Sequence, residues 1–166
     1  MKNKIETLFY LGLTLIALNC ATPRHNVETN VKDEDLVMIL PMYVDILTID
    51  NAQLDNYGRP FLITPGNHLF KVMYSSGRII SNGYKEISVN GSAGETYVLC
   101  TFADIKTNTM VTKLEKNGGW LAFFALISKE ELASYKFGLG YDPDKLQEQI
   151  CNKEIETKNL LNQIRN

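Results

Sequence analysis

The chain has 166 residues, of which 45% are apolar and 22% charged, a composition typical of globular proteins and not of disordered ones. Its formal net charge of −2 excludes the basic excess with which nucleic-acid-binding domains contact phosphates. The same negative charge excludes simple attraction to anionic lipid headgroups as the means of holding the protein on a membrane.

The N-terminal residues have the order of an export signal. Two lysines stand near the start, an apolar run of eleven residues extends from Leu8 to Leu18, and polar residues follow Cys20 closely. This run is shorter than the ~20 residues of a membrane-spanning helix. Its position, its positive start and its polar C-terminal flank are those of a secretory signal. We therefore predict that residues 1–19 are a removable signal peptide.

A cysteine lies almost directly after the apolar run. The segment from Ala17 to Cys20 (Ala-Leu-Asn-Cys) resembles the lipobox of bacterial lipoproteins, and in particular the relaxed lipobox of spirochaetes, in which Asn before Cys is tolerated. It departs from the usual Leu, small residue, Gly or Ala at all three positions before the cysteine. The resemblance implies that signal peptidase II cuts before Cys20 and that acyl chains on Cys20 anchor the protein, because two buried chains bind a membrane stably.

The residue after the cysteine bears on the location of the protein. In the lipoprotein family, Asp at this position retains the protein at the inner membrane of enteric bacteria, whereas this chain has Ala21. The resemblance therefore implies a lipid-anchored protein of the cell envelope, at the outer membrane. Ordinary cleavage after Ala21 is the alternative, and it would give a soluble secreted protein.

Residues 20–35 are predicted to be the lipidated cysteine followed by a flexible tether. The stretch from Ala21 to Glu34 is polar and has neither helical nor alternating periodicity. Fully extended, it would reach roughly 45 Å. We therefore expect the folded part of the chain to begin near Leu36.

Residues 36–127 are predicted to form a β-domain. Short runs rich in Val, Ile, Thr, Tyr and Phe alternate with turn signals such as Asp50-Asn51 and Asn90-Gly91. Frequent turns without a long helical pattern favour an antiparallel β-sandwich of the immunoglobulin or transthyretin type over other folds, with a barrel as the alternative. The predicted strands are 36–40, 43–49, 61–64, 68–75, 79–89, 96–105, 109–114 and 120–127.

One predicted hairpin is centred on Pro65-Gly66, where Pro fixes a negative φ and Gly accepts the positive φ of a type II turn. In the strand that follows, we expect Phe70, Val72 and Tyr74 to face the core. His68 begins the same face next to the turn. It could act as a ligand or an acid/base group, but the simpler interpretation is a hydrogen-bonded cap at the edge of the sheet.

The stretch from Leu62 to Val72 resembles the "PG-x-H" hairpin of small β-sandwich domains in bacterial lipoproteins, which are similar in style to PEGA domains. Two further features are typical of those domains: a preceding "D-N…G" strand and turn, here Asp50-Asn51 and Gly58, and a following "aG-x-x-Y" strand, here Ala93 to Tyr97. The resemblance implies a β-sandwich that binds a partner or has a structural role in the envelope. It implies no particular chemistry.

The run from Trp120 to Ile127 is the most apolar of the mature chain and suits a central strand buried on both faces, with an exposed patch for a lipid or partner as the alternative. Residues 128–166 are predicted to be a C-terminal helical segment with one short and one longer helix. Ser128 begins a capping box, and Asp142-Pro143 begins the longer helix. That helix is expected to extend to about Ile164 and to dock loosely, since its apolar stripe is sparse (Leu146, Ile150, Leu160 and Ile164).

The two remaining cysteines, Cys100 and Cys151, could form a disulfide or stay as unpaired thiols, because their sequence separation does not determine the distance between their Cα atoms. With two histidines and no CxxC pair, we predict no metal site, no cofactor and no catalytic residues. We expect a non-enzymatic binding or structural module of the cell envelope, with the membrane and an envelope protein as partners and no nucleic acid. An envelope hydrolase using Cys100 and His68 is one alternative, and a subunit that assembles through its C-terminal helix is another.

Overall fold

The computed structural model describes residues 22–54, 59–76, 79–103, 112–114, 119–137, 140–158 and 160. The predicted signal peptide and Cys20 lie outside these residues. Twelve strands are present among them: β1 (Val37–Pro41), β2 (Val44–Ile49), β3 (Ala52–Gln53), β4 (Phe61–Ile63), β5 (Gly66–Ser76), β6 (Ile79–Ser81), β7 (Lys85–Gly91), β8 (Thr96–Ala103), β9 (Thr112–Leu114), β10 (Trp120–Ile127), β11 (Lys136–Phe137) and β12 (Gly140–Tyr141). The helical elements are a 3₁₀ turn (Asp33–Asp35), α1 (Lys129–Ser134), α2 (Pro143–Leu146), a π-helical turn (Gln147–Cys151) and α3 (Asn152–Thr157).

The strands form two main sheets, and the predicted β-sandwich is confirmed. The inner sheet has the order β10-β8-β1-β4, and the outer sheet has the order β3-β2-β5-β6-β9, with β7 also paired to β5. The sandwich is not antiparallel throughout, since β1 pairs with β8 and β6 with β9 in parallel. Between β1 and β8 the chain forms β4 of the inner sheet and five strands of the outer sheet, and β8 then runs in the same direction as β1.

The first core lies between the two sheets. From the outer sheet, Phe70, Val72 and Tyr74 point into it, so the predicted inward face of β5 is confirmed. From the inner sheet, Ile39 and Trp120 are among the residues that meet them. Aromatic rings also meet edge to face here: the ring centroids of Phe70 and Phe124 lie 5.0 Å apart.

A second core covers the opposite face of the inner sheet. There, Leu40, Val98 and Cys100 pack against apolar residues of the helical segment, including Leu132 and Leu146. The inner sheet is thus covered on both faces, by the outer sheet and by the helices. This explains why its strands are almost continuously apolar, as in sheets that are buried on both sides.

The strand β10 has the predicted bounds but not the predicted position. It lies at one edge of the inner sheet, where it pairs with β8. Most of its apolar content is explained by the two cores and not by a central place in the sheet. Leu126, with 58% of its surface exposed, is the exception.

The predicted hairpin at Pro65-Gly66 is wrong. The strand before it, β4, pairs with β1 in the inner sheet, whereas β5 pairs with β2 and β7 in the outer sheet. The turn therefore carries the chain from one sheet to the other, with Gly66 at a φ of +128° that other residues rarely adopt.

The single strand predicted over 79–89 is in fact two strands, β6 and β7. The Ser81 hydroxyl accepts a hydrogen bond from the Tyr74 N–H at 3.0 Å and donates one to the Gly83 carbonyl at 2.9 Å. These two bonds hold a local turn in which Gly83 has a φ of +108°. This turn ends β6 before β7 begins.

The predicted helix starts are confirmed: Ser128 Oγ accepts from the Glu131 N–H at 3.1 Å, and Asp142 Oδ1 accepts from the N–H groups at the start of α2. We use the name C-terminal helix for α2, the π-helical turn and α3 together, whose junctions keep right-handed helical backbone angles. Position 164, where the helix was expected to end, lies outside the described residues.

The helix docks more tightly than predicted. Its buried stripe consists of Leu146, Ile150, Cys151 and Ile155, each at most 6% exposed. With regular α-helical spacing, Lys153 and Thr157 would follow Ile150 on the buried face and interrupt the apolar stripe. The extra residue of the π-helical turn shifts this face by one position, so that Cys151 and Ile155 continue the stripe instead.

Candidate functional site

The N-terminal arm, residues Pro23–His25, lies against the inner sheet. Leu62 of β4 donates its N–H to the Pro23 carbonyl at 2.8 Å, and its own carbonyl accepts from the His25 N–H at 2.9 Å. Arg24 and Leu62 form a parallel bridge, so the arm runs in the direction of β4. The predicted flexible tether is therefore wrong for these residues.

A side-chain contact also holds the arm. The Arg24 guanidinium forms an ion pair with Asp33, at the start of the 3₁₀ turn, and donates a hydrogen bond to the Glu28 carbonyl. The polar residues that follow the arm thus fold back on it. Sequence reasoning missed this arrangement because the arm binds β4 through its backbone, which leaves no trace in the pattern of apolar side chains.

Cys100 and Cys151 are joined by a disulfide, with their Cα atoms 5.5 Å apart. Both residues are fully buried in the second core. The bond ties β8 of the inner sheet to the C-terminal helix. Of the two alternatives that the sequence leaves open, the structure thus has the pairing, in a form typical of oxidising compartments.

The structure does not bring Cys100 and His68 together as a nucleophile and its base. Cys100 lies on the helix-covered face of the inner sheet, with its sulfur bonded to Cys151. His68 lies on β5 in the outer sheet and contacts Asp50 and Thr64. A sulfur held in a disulfide has no thiolate with which to attack a substrate.

His68 lies in a polar cluster with Asp50 and Thr64. Asp50 lies in a two-residue turn between β2 and β3, in which both central residues have positive φ (51° and 65°). Its carboxylate accepts from the Leu69 N–H at 2.8 Å and contacts His68 Nδ1 at 2.6 Å. On the other side of the ring, Nε2 lies 2.8 Å from the Thr64 carbonyl. Both ring nitrogens thus face an oxygen that can accept a hydrogen bond.

The electrostatics of this cluster favour a charged Asp50. Burial raises its pKa, but the hydrogen bonds from Leu69 and His68 and the charges of two histidines lower it, and the net shift is downward. The second histidine is His25 of the N-terminal arm, so both histidines of the chain act on one carboxylate. Within the described ranges, no three His, Cys, Asp or Glu side chains are grouped to hold a metal ion.

The Thr64 hydroxyl, the His68 ring and the Asp50 carboxylate follow one another in the order of a catalytic triad, with Thr64 Oγ1 3.4 Å from His68 Nε2. The Thr64 carbonyl lies closer to the same nitrogen and can only accept, so this contact uses a hydrogen on Nε2. The ring therefore does not accept a proton from the hydroxyl, and the cluster links the β2–β3 turn to the crossing between the sheets. This is the capping role that the simpler interpretation of His68 predicts. The position of Asp50 opposite it was not predicted.

A second contact that sequence reasoning missed fixes the C-terminal helix. The Tyr43 hydroxyl donates a hydrogen bond to the Asp144 carboxylate, and this bond, with burial as the next cause, raises the pKa of Tyr43 to about 12. Near it, Gln147 Nε2 donates to the Thr101 carbonyl at 3.1 Å. Residues 101 apart in sequence give no local signal of such a contact.

Comparison of the chain with protein-family models, with curated proteins and with solved structures gives no match. The resemblances to lipoproteins and to PEGA-like domains therefore rest on the residues quoted above. None of the helices in the described part of the chain is long and apolar enough to cross a membrane.

Proposed function

We propose that this protein is a bacterial lipoprotein of the cell envelope, anchored at the outer membrane by acyl chains on Cys20. The observation that carries the proposal is the cysteine that follows a short apolar run with a positive start. The domain behind this anchor is a binding or structural module, with a protein of the envelope as its partner.

The disulfide supports export. Cys100 and Cys151 are both fully buried and bonded to each other, although they are separated by 51 positions in the sequence. Such bonds form and persist outside the reducing cytosol. A chain that carries an export signal and a buried disulfide is consistent with folding in the periplasm or beyond.

Two alternatives fit the observations less well. A hydrolase that uses Cys100 would need a free thiol, and this sulfur is bonded to Cys151. Assembly through the C-terminal helix would need an exposed apolar stripe, whereas Leu146, Ile150 and Ile155 are already buried within the chain. A soluble secreted protein, cut after Ala21, is the remaining competitor and differs only in its N-terminus.

The experiment that tests the anchor compares the natural chain with Cys20→Ser in intact bacteria. We expect the N-terminal peptide of the natural protein, taken from the membrane fraction, to begin at Cys20 and to carry acyl chains in its mass spectrum. We expect Cys20→Ser to lose the acyl mass and to leave the membrane fraction, because its charge gives it no other hold on lipid.

The matched control is Asn19→Gly, which restores the usual lipobox residue next to the cysteine and should keep or increase acylation. An unmodified N-terminus at Thr22 in the natural protein would contradict the proposal and favour the secreted form. Cross-linking in intact cells tests the second half of the proposal. If no protein is recovered repeatedly, the binding role is refuted while the anchor stands.

A further inference from the structure

The N-terminal arm limits how far the folded domain can lie from the predicted anchor. Pro23 is already hydrogen-bonded to β4, and only three residue steps separate it from Cys20. Three steps span at most ~11 Å, whatever their conformation. A free tether of the length that the sequence suggests would reach roughly 45 Å. The docked arm therefore shortens the reach about fourfold.

The direction of the arm indicates towards which end of the sandwich the chain before it leads. Because Arg24 pairs with Leu62 in parallel, the chain before Arg24 continues towards the start of β4. We call this the Pro60 end of the sandwich. The ladders of the inner sheet bring the end of β1 (Pro41), the end of β8 (Ala103) and the start of β10 (Trp120) to the same end.

We propose that the Pro60 end is a membrane-facing surface, held by the N-terminal arm against the lipid headgroups of the bilayer in which Cys20 is anchored. This inference rests on the proposed lipid anchor. It adds that the domain has a fixed orientation, with the Pro60 end towards the lipid and the opposite end, where Gly66 pairs with Gly91, away from it. The occupant of the surface is the bilayer itself, because only three residue steps separate the docked Pro23 from the acylated Cys20.

The single tryptophan of the chain provides the measurement. Trp120 is fully buried at the Pro60 end, so its emission reports the position of the domain and not local contact with lipid. Acylated full-length protein is purified and placed in phosphatidylcholine vesicles that contain dansyl-labelled phosphatidylethanolamine. Energy transfer from Trp120 to the dansyl groups is then recorded, because transfer falls steeply with distance.

Two insertions of the same twenty-residue Gly/Ser segment are compared with the natural chain. An insertion between Thr22 and Pro23 lengthens the link on the membrane side of the docked arm by roughly 25 Å, and we expect transfer to fall about twofold or more. The matched insertion between Thr29 and Asn30 lies on the far side of the arm. We expect it to leave transfer unchanged, because the arm remains bonded to β4.

The outcomes separate this inference from the proposed function. An equal fall for both insertions means that the arm is free, and unchanged transfer for both means that the short arm does not set the distance. Either result overturns the inference while leaving the acylated anchor in place. Absence of acyl chains on Cys20 overturns both proposals, and this is read from the mass of the purified protein before the vesicles are made.

Discussion

Loss of the Cys100–Cys151 disulfide should lower the free energy of unfolding substantially. The bond closes a loop across a sequence separation of 51 and thereby restricts the unfolded chain. The chain-entropy relation gives about 4 kcal/mol for a loop of roughly this length. That is a large fraction of the ~5–15 kcal/mol by which domains of this kind are stable.

The assay is urea unfolding of the mature chain with Cys20→Ser, followed by circular dichroism with and without a thiol reductant. With a urea m-value of about 2 kcal/mol/M, a loss of about 4 kcal/mol moves the midpoint down by about 2 M. The reduced protein is prepared by unfolding and refolding in reductant, since both sulfurs are buried. Mass measurement after thiol alkylation shows that the bond is open.

A double variant, Cys100→Ala with Cys151→Ala, serves as the control, because reductant should not move its midpoint. Amide exchange should rise first in the π-helical turn, Gln147–Cys151, since the bond ties this turn to β8. A reduced protein that unfolds at the same urea concentration as the oxidised one would refute the reasoning.

Three further substitutions test the contacts around the sandwich. Asp50→Asn keeps a residue that tolerates positive φ but removes the charge opposite His68, so we expect a loss of roughly 1 kcal/mol at pH 7. Folding lowers the pKa of Asp50, so the stability that its charge contributes is present above its ordinary pKa of 3.8. This stability is lost as the pH falls through the pKa of Asp50 in the folded protein. The urea midpoints of Asp50→Asn and the natural protein should therefore converge in acid. Tyr43→Phe removes the bond to Asp144 at a cost of about 1 kcal/mol. Because folding raises the pKa of Tyr43 from 10.0 to about 12, the natural protein should lose this stability between those pH values, whereas Tyr43→Phe should not. If the free energies of unfolding of the two proteins fell equally between those pH values, the assignment would be contradicted. Leu146→Ala should cost about 2–5 kcal/mol in thermal or urea unfolding, as expected for a fully buried leucine, and a loss under 1 kcal/mol would mean that the helix does not pack as described.

Much of the strand content could be predicted, because its signal is local. The alternation of Phe70, Val72 and Tyr74 gives the inward face of β5, and the apolar run from Trp120 to Ile127 gives β10 with its correct bounds. Turn chemistry likewise predicts the turn at Asp50-Asn51, where the structure has positive φ at both residues. Residue type and spacing determine these features with little help from the rest of the chain.

The arrangement of the strands could not be predicted, because it depends on contacts that are distant in sequence. Pro65-Gly66 has the residues of a hairpin turn, yet these residues serve equally well where the chain crosses between sheets. The apolar character of Trp120 to Ile127 suggests a central strand, but a helix layer over an edge strand has the same effect. The disulfide and the bond between Tyr43 and Asp144 depend on that helix layer too, so they were open or missed for the same reason.

The parallel pairing of β1 with β8 has a consequence for the time course of folding. The edge of β1 that pairs with β8 has no partner strand until the chain has been completed as far as Leu99. Most of the residues between β1 and β8 belong to the outer sheet. Topologies dominated by such distant pairings fold slowly, because loop closure precedes the contacts that reward it. Under the proposed export, β1 would lack its β8 partner until β8 has also left the translocation channel.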